Sequence, residues 1–454
     1  MTGATTAAAP AHRGLLKVLG VAFGMAVIVG NTIGSGILRT PGDVAAALPS
    51  SAWFIALWVA GGLYALCGAM TLAELAVLMP QSGGEYVYAR RTFGEYAGFV
   101  IGWTDWASTC AATASVAIAL GELLGQQFPA LAAAQTAIAV GATLAFLGLH
   151  WRGVKSSDRA QQALSLAKTL AFVAVAIVCF LPARSAPPVA AAGAGTPALA
   201  AMPAGFALAG AIIVSLQSVI YTYDGWNGAL YFGGELHDPA REIPRAMGGG
   251  VVVVLLVYLA LNAASLHALG MAGLAGSKFP SADAAGVVLG AAAQSMVRAV
   301  MAVSLVGALS ALVLISSRVP YAMAVDGLLP ARLTRVTTGG TPTFSLVASV
   351  VATVLFIATN TFETVIAIAA LFFVLKYCVS FSAVFALRRR EPDLPRPYRA
   401  WGYPWITGLL LVGSVGFVAG NFVTDRQNSV RALYVLAASG PVYLLARRFR
   451  LRSR

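Results

Sequence analysis

Gly30-Asn31-Thr32-Ile33-Gly34-Ser35-Gly36 lies in the middle of an apolar run that extends from Leu15 to Ala47. About 20 residues of helix cross a hydrocarbon core of about 30 Å, so the run is long enough to span a membrane. Its centre is costly for a span. Glycine is about 1 kcal/mol worse than alanine inside a helix, and polar side chains at mid-membrane mark ion or ligand paths more often than lipid-facing surface. A second run, from Phe206 to Phe232, carries Tyr221-Thr222-Tyr223-Asp224-Gly225-Trp226-Asn227-Gly228 at its centre. Both clusters predict a helix broken inside the membrane. Gly30 and Gly34 also form a small-xxx-small pattern, so close helix packing is the other reading of the first cluster. Packing does not require the acid Asp224.

The rest of the chain is built to the same scale. Of its 454 residues, 59% are hydrophobic and 10% charged, against about a quarter charged in an ordinary soluble domain. Apolar runs recur near residues 15–47, 53–79, 96–124, 131–150, 161–181, 206–232, 249–269, 287–317, 344–359, 362–387, 404–422 and 430–446. Lipid leaves backbone amides no partner but their own helix. The expected fold is therefore an all-α integral membrane bundle of about 12 transmembrane helices, with the lipid bilayer as its main solvent.

The longest polar break, residues 182–204, is rich in Ala, Pro and Gly and reads as an outer loop. Five spans precede it (15–181) and five follow (205–387), and because five is odd the second block must be inverted relative to the first. Such inverted repeats build many carriers, with the site where interrupted helices meet. Here the interrupted helix is the first of each block. A tail at 1–14, a loop with two further helices at 388–446 and a basic tail at 447–454 complete the division.

The net charge of +13 would suit nucleic acid, but 22 of the 30 lysines and arginines fall in segments on one side and five, Arg39, Arg184, Lys278, Arg426 and Arg431, in loops on the other. That is the positive-inside pattern, with no nucleic acid implied and both termini cytoplasmic. Lys168, Arg298 and Lys376 lie in or at the edges of spans. Cys67, Cys110, Cys179 and Cys378 sit in apolar runs, where thiols behave as small hydrophobes. The four histidines show no metal spacing, and no cofactor is expected. The short uncharged start precedes no cleavage pattern, so the first span is expected to be retained.

The motifs resemble those of the amino acid, polyamine and organocation permease superfamily, within it the L-type amino acid exchanger-like group. The resemblance rests on Val29 to Ile37, Ala73-Glu74-Leu75, Pro80 to Tyr86, Tyr223 to Asn227, Gly234-Glu235-Leu236 and Ile243 to Ala246. It continues through Ser317-Arg318, Tyr321 to Ala324, Asp326 to Pro330, Arg396 to Arg399 and Gly402-Tyr403-Pro404. It implies the five-plus-five inverted-repeat fold of sodium-coupled leucine carriers, followed by two C-terminal helices. It implies alternating-access transport of amino acids across the cell inner membrane, and no enzyme activity. Ser35 and Gly36, opening the second half of a broken helix after Ile33 and Gly34, would hold the substrate carboxylate on free amides. Carbonyls near Ile33 and Tyr221, with Asp224, would receive the ammonium. Gly225 provides the second break, and Tyr221 and Trp226 are aromatic candidates either for the substrate side chain or for packing between helices.

Asp224 replaces the glycine of the eukaryotic exchangers, which favours cationic or small polar substrates or a proton as coupling ion. Lys168 either snorkels to water or points inward to carbonyls near Ile28 to Ile33. Sodium-independent relatives carry a lysine at the matching place of the fifth helix, in a similar leucine-rich setting, here Leu164 to Leu170. Heterodimeric relatives bind an ancillary subunit through a cysteine in the loop after the third helix. Residues 125–130 hold none, so no disulfide-linked partner is expected. Asp105 reads either as facing the inner vestibule or as a solvated helix end, Glu363 lies near a span end, and Lys376 either snorkels or pairs with an acid.

A membrane enzyme would need a nucleophile with its base, a metal triad or paired acids, and none is recognisable. A membrane amino acid sensor (transceptor), or a carrier for another small amine such as a polyamine, is the alternative. A sensor is expected to carry a signalling domain or long tail, which these termini do not supply.

Overall fold

The computed structural model describes residues 20–80, 83–151, 158–182, 201–235, 238–336 and 341–452. The tail at 1–14, most of the loop at 182–204, Gln81, Ser82 and Leu236 lie outside the described residues. Within them the protein is helical. The first apolar run forms two helices, α1 (Val21–Thr32) and α2 (Ser35–Ala47), whose axes bend by 46°. There follow α3 (Ser51–Leu78), α4 (Glu85–Phe93), α5 (Glu95–Gln127), α6 (Gln135–Trp151) and α7 (Asp158–Cys179). Then come α8 (Gly205–Tyr223), α9 (Pro239–Ala275), α10 (Pro280–Leu289), α11 (Ala291–Ser316), α12 (Arg318–Val325), α13 (Thr343–Thr359) and α14 (Phe362–Arg390). The chain closes with α15 (Trp405–Thr424), α16 (Arg426–Ala437) and α17 (Ser439–Arg452).

Nine helical segments among the described residues are long and apolar enough to cross a membrane, and the bent pair α1/α2 makes a tenth. Two shorter apolar helices, Leu166–Cys179 and Thr343–Thr359, occupy the places of the fifth and ninth expected spans. Large apolar side chains such as Leu170, Leu256, Val303, Leu355 and Leu409 are at least 58% exposed on these helices. Water would penalise that surface and lipid does not.

Burial decides which helices are central. The most apolar windows of α5 and α14 are 72% and 78% buried, against 28% for α15 and 22% for the α16/α17 segment. Helices α5 and α14 pack on each other, α3 packs on α9, and α1 is held between α7 and α9. The last helices lie at the periphery.

Three expectations need correction. The eighth span does not start at Val287. The chain turns at Gly290 (φ 93°), where α10 ends as a separate helix and α11 begins. Arg39 is not a loop residue but sits inside α2, 4% exposed. Asp105 is not a solvated helix-end group: it is fully buried in α5.

Candidate functional site

The two broken helices meet at their breaks. Helix α1 stops at Thr32 because Ile33 turns extended (ψ 91°), and α2 restarts at Ser35. Helix α8 stops at Tyr223, Asp224 is extended (ψ 149°), Gly225 takes φ 113°, and a 3-10 helix runs from Gly228 to Glu235. Two glycines allow the contact. A Cβ on Gly225 would stand 2.7 Å from Thr32 Oγ1, and one on Gly36 would stand 2.6 Å from Thr222 Oγ1 and 2.7 Å from Thr222 Cα. Real Cβ contacts essentially never fall below 3.0 Å. Gly36 is therefore a helix-packing position as well as a backbone donor.

Hydroxyl groups bind the breaks together. Tyr258 of α9 places its hydroxyl 2.7 Å from the Thr32 carbonyl and 3.0 Å from that of Thr222, one donor between the freed ends of both helices. Thr40 Oγ1 lies 2.9 Å from Thr222 Oγ1, and Ser35 Oγ lies 2.9 Å from the Tyr221 hydroxyl. The Tyr221 hydroxyl also bonds Ser115 of α5. These bonds satisfy groups that a helix end would otherwise leave unpaired inside the bundle.

Between the breaks lies a cavity of about 40 Å³, lined by Asn31, Gly34, Ser35 and Gly36 on one side and Tyr221, Thr222 and Asp224 on the other. Ala112, Leu312 and Phe373 close it. The first N–H groups of α2 have no intrahelical partner, and the helix dipole adds partial positive charge there. An anion is favoured at that end. The carboxylate of Asp224, which accepts a hydrogen bond from the Tyr377 hydroxyl, favours a cation at the other. The cavity thus has a donor end and an acceptor end.

Of the residues singled out in the sequence, Gly34, Ser35, Gly36, Tyr221 and Asp224 come together on this cavity. Ile33 is fully buried beside it, and Gly225 forms the contact with Thr32. Trp226 does not line the cavity. It borders an apolar crevice with Ile28, Ala65 and Tyr223, and its ring lies 4.8 Å from that of Tyr377. Lys168 stands apart from the cavity too, and its ammonium donates to the Gly30 carbonyl at 3.3 Å.

Two charged clusters were not assembled from the sequence, which left Lys376 either snorkelling or paired with an unnamed acid. At one end of the bundle the Arg39 guanidinium binds Asp43 (2.8 Å), Glu122 (3.1 Å) and Glu363 (2.7 Å) and lies 5.2 Å from the centre of the Phe362 ring. Phe362 in turn packs edge-on against Tyr221. This joins α2, α5 and α14 above the cavity. Toward the other end a second cavity, about 30 Å³, shares Asn31, Asp224 and Phe373 with the first and reaches Asp105, Asn227, Tyr231 and Lys376. Lys376 binds Asp105 at 2.8 Å and lies 3.8 Å from Glu85. The signal was available: a lone lysine and a lone acid in two apolar helices each need a partner in lipid. Beyond them, Glu74 binds Arg388 at 2.5 Å and Arg396 at 3.4 Å.

Residues 14–444 match the family model described as amino acid permease. The chain belongs to the amino acid permease family. The permease is 27% identical over 435 residues to a serine/threonine exchanger of Bacillus subtilis, covering 95% of this chain and 97% of that one. It is 28% identical over 398 residues to the large neutral amino acids transporter small subunit 2 of Homo sapiens, covering 85% of this chain and 72% of the relative. It is 29% identical over 404 residues to the Asc-type amino acid transporter 1 of Mus musculus, covering 85% and 73%. The permease is accordingly a multi-pass secondary transporter of amino acids and not an enzyme.

Proposed function

We propose that this permease exchanges small neutral α-amino acids, serine and threonine among them, across the cell inner membrane. The observation that carries the reading is the cavity between two helix breaks, with backbone donors at Ser35 and Gly36 facing a carboxylate at Asp224. In it the substrate carboxylate sits on the α2 amides and the ammonium near Asp224 and the released carbonyls around Ile33 and Tyr221. Its size supports a small substrate. About 40 Å³ holds roughly three waters at 10–15 Å³ each. Even serine therefore requires α2 or α8 to move, as alternating access demands. The printed name of the Bacillus subtilis relative agrees with a small hydroxylated substrate.

The one-sided lysines and arginines support cytoplasmic termini, which puts the Arg39 cluster outside and the Glu74–Arg388 pair inside. The five-plus-five division supports about twelve spans, with α15 and the α16/α17 segment as the pair outside the repeat. Lys168 at the Gly30 carbonyl supports a sodium-independent cycle in which an ammonium ties α7 to α1. The absence of cysteine in residues 125–130 supports a carrier working without a disulfide-linked subunit. Counterflow in proteoliposomes tests the whole reading. Labelled serine should enter vesicles preloaded with serine or threonine and fail to enter unloaded ones. Equal entry into both would exclude exchange.

A further inference from the structure

Glu85, the first residue of α4, is fully buried although α4 is too short and too polar to span the membrane. It faces Lys376 from α14, Asp105 from α5, Asp224 and Asn227 from the break after α8, Tyr231 and Tyr377, with Tyr88 beside it on α4. The group contains one cation and three carboxylates. Asp105 is well supplied, with the Lys376 ammonium at 2.8 Å and the Tyr231 hydroxyl 2.8 and 2.9 Å from its oxygens. Asp224 accepts from Tyr377. Glu85 also accepts one bond, at Oε1 from Asn227 Nδ2 at 2.9 Å, but its Oε2 is buried with no hydrogen-bond partner among the described residues.

We propose that this cluster is a proton-binding site and that Glu85 carries the proton. Three anions around one ammonium would leave two uncompensated charges in a sealed interior, and each costs several kcal/mol even after relaxation. A neutral carboxyl with one unpaired oxygen costs much less than a carboxylate with one. Asp224 and Glu85 each accept one hydrogen bond, but Asp224 borders the cavities whereas Glu85 is fully buried with Oε2 unpartnered, so Glu85 is the one that neutralises. Burial pushes its carboxyl above the usual range, with Lys376 and Asn227 opposing.

The position suits coupling. Asp224 and Lys376 border the same cavity, which adjoins the cavity between the breaks. On its other side α4 contributes Tyr86, Arg90 and Arg91 to a surface cleft of about 530 Å³ that also holds Asp326 and Glu391. A substrate ammonium beside Asp224 adds the second positive charge the cluster lacks, which weakens the hold of Glu85 on its proton, and movement of α4 lets that proton reach the cleft. This link to transport rests on the substrate-site reading; the proton itself does not.

Infrared spectroscopy of the full carrier in detergent at neutral pH reads the proton without any transport. The parent should show the C=O band of a protonated carboxyl, Asp224→Asn should keep it, and Glu85→Gln should lose it. A parent without the band, or a band lost in Asp224→Asn and kept in Glu85→Gln, overturns the assignment. Should Glu85→Gln fail to fold, Lys376→Met decides: removing the one cation forces a second proton onto Asp105, so the band should roughly double, and an unchanged band refutes the charge count. In counterflow, the parent rate should change by about tenfold per pH unit on the α4 side over the range where one proton titrates, and Glu85→Gln should be flat. A parent that shows the band yet carries no amino acid would count against the substrate reading alone.

Discussion

Replacing Gly36 with alanine adds one methyl group at the point where α2 rests on α8. The new Cβ would lie 2.6 to 2.9 Å from three atoms of Thr222, among them the backbone Cα at 2.7 Å. Turning the Thr222 side chain cannot relieve a clash with its own Cα. To reach an ordinary contact of 3.4 Å, the helices must part by about 0.7 Å. Overpacking of this kind costs about 1 to 3 kcal/mol, and a penalty falling only on conformers with α2 against α8 lowers their population by about 5- to 150-fold. Counterflow should slow by that range, and thermal unfolding in detergent should show the loss of stability. Gly34→Ala is the control. Its Cβ would meet only the Thr32 carbonyl, at 3.9 Å, and its φ of −142° lies outside the left-handed region that favours glycine, so its stability should match the parent. A Gly36→Ala carrier with parental stability and exchange would refute the close approach.

Three further outcomes are expected. Lys168→Ala should fold and lose most transport, and uptake by the parent should be unchanged when sodium is replaced by choline; a strict sodium requirement contradicts the role given to the ammonium. Asp224→Asn should weaken competition by serine for labelled serine entry by about tenfold or more, since a charge pair between Asp224 and the substrate ammonium at 4 Å and an effective dielectric constant near 20 is worth up to about 4 kcal/mol before desolvation. Arg39→Gln leaves Asp43, Glu122 and Glu363 without their shared cation, so a Ser35→Cys reporter should react faster with an impermeant thiol reagent from outside. An unchanged rate would make the Arg39 cluster a static brace.

The broken helices were legible because glycine and polar residues inside an apolar run have no other inexpensive explanation. Gly34, Ser35, Gly36, Tyr221 and Asp224 could be named from that alone. The tight contact of Gly36 with Thr222 could not, since a glycine that donates its amide and one that admits a neighbour look the same in sequence. The Lys376, Asp105 and Glu85 cluster joins residues 20 and 271 positions apart. Each of them alone fits a span end. Arg39 counts among the outer-loop cations in sequence because a guanidinium inside an apolar run is costly without a partner, and its partners lie on α5 and α14 as well as α2. In the structure Pro41 is the seventh residue of α2, so the helix runs on through it and forgoes the bond that its missing N–H would have made one turn back.

Counterflow with a set of serine analogues tests most directly whether a donor end and an acceptor end hold an α-amino acid between the breaks. Vesicles reconstituted with the permease are preloaded with serine, with ethanolamine, which lacks the carboxylate, or with glycerate, which lacks the ammonium, and entry of labelled serine is followed. Serine inside should drive entry, and neither analogue should. Entry driven as well by ethanolamine or by a polyamine as by serine would mean that the α2 amides hold no carboxylate, and the site would belong to another substrate.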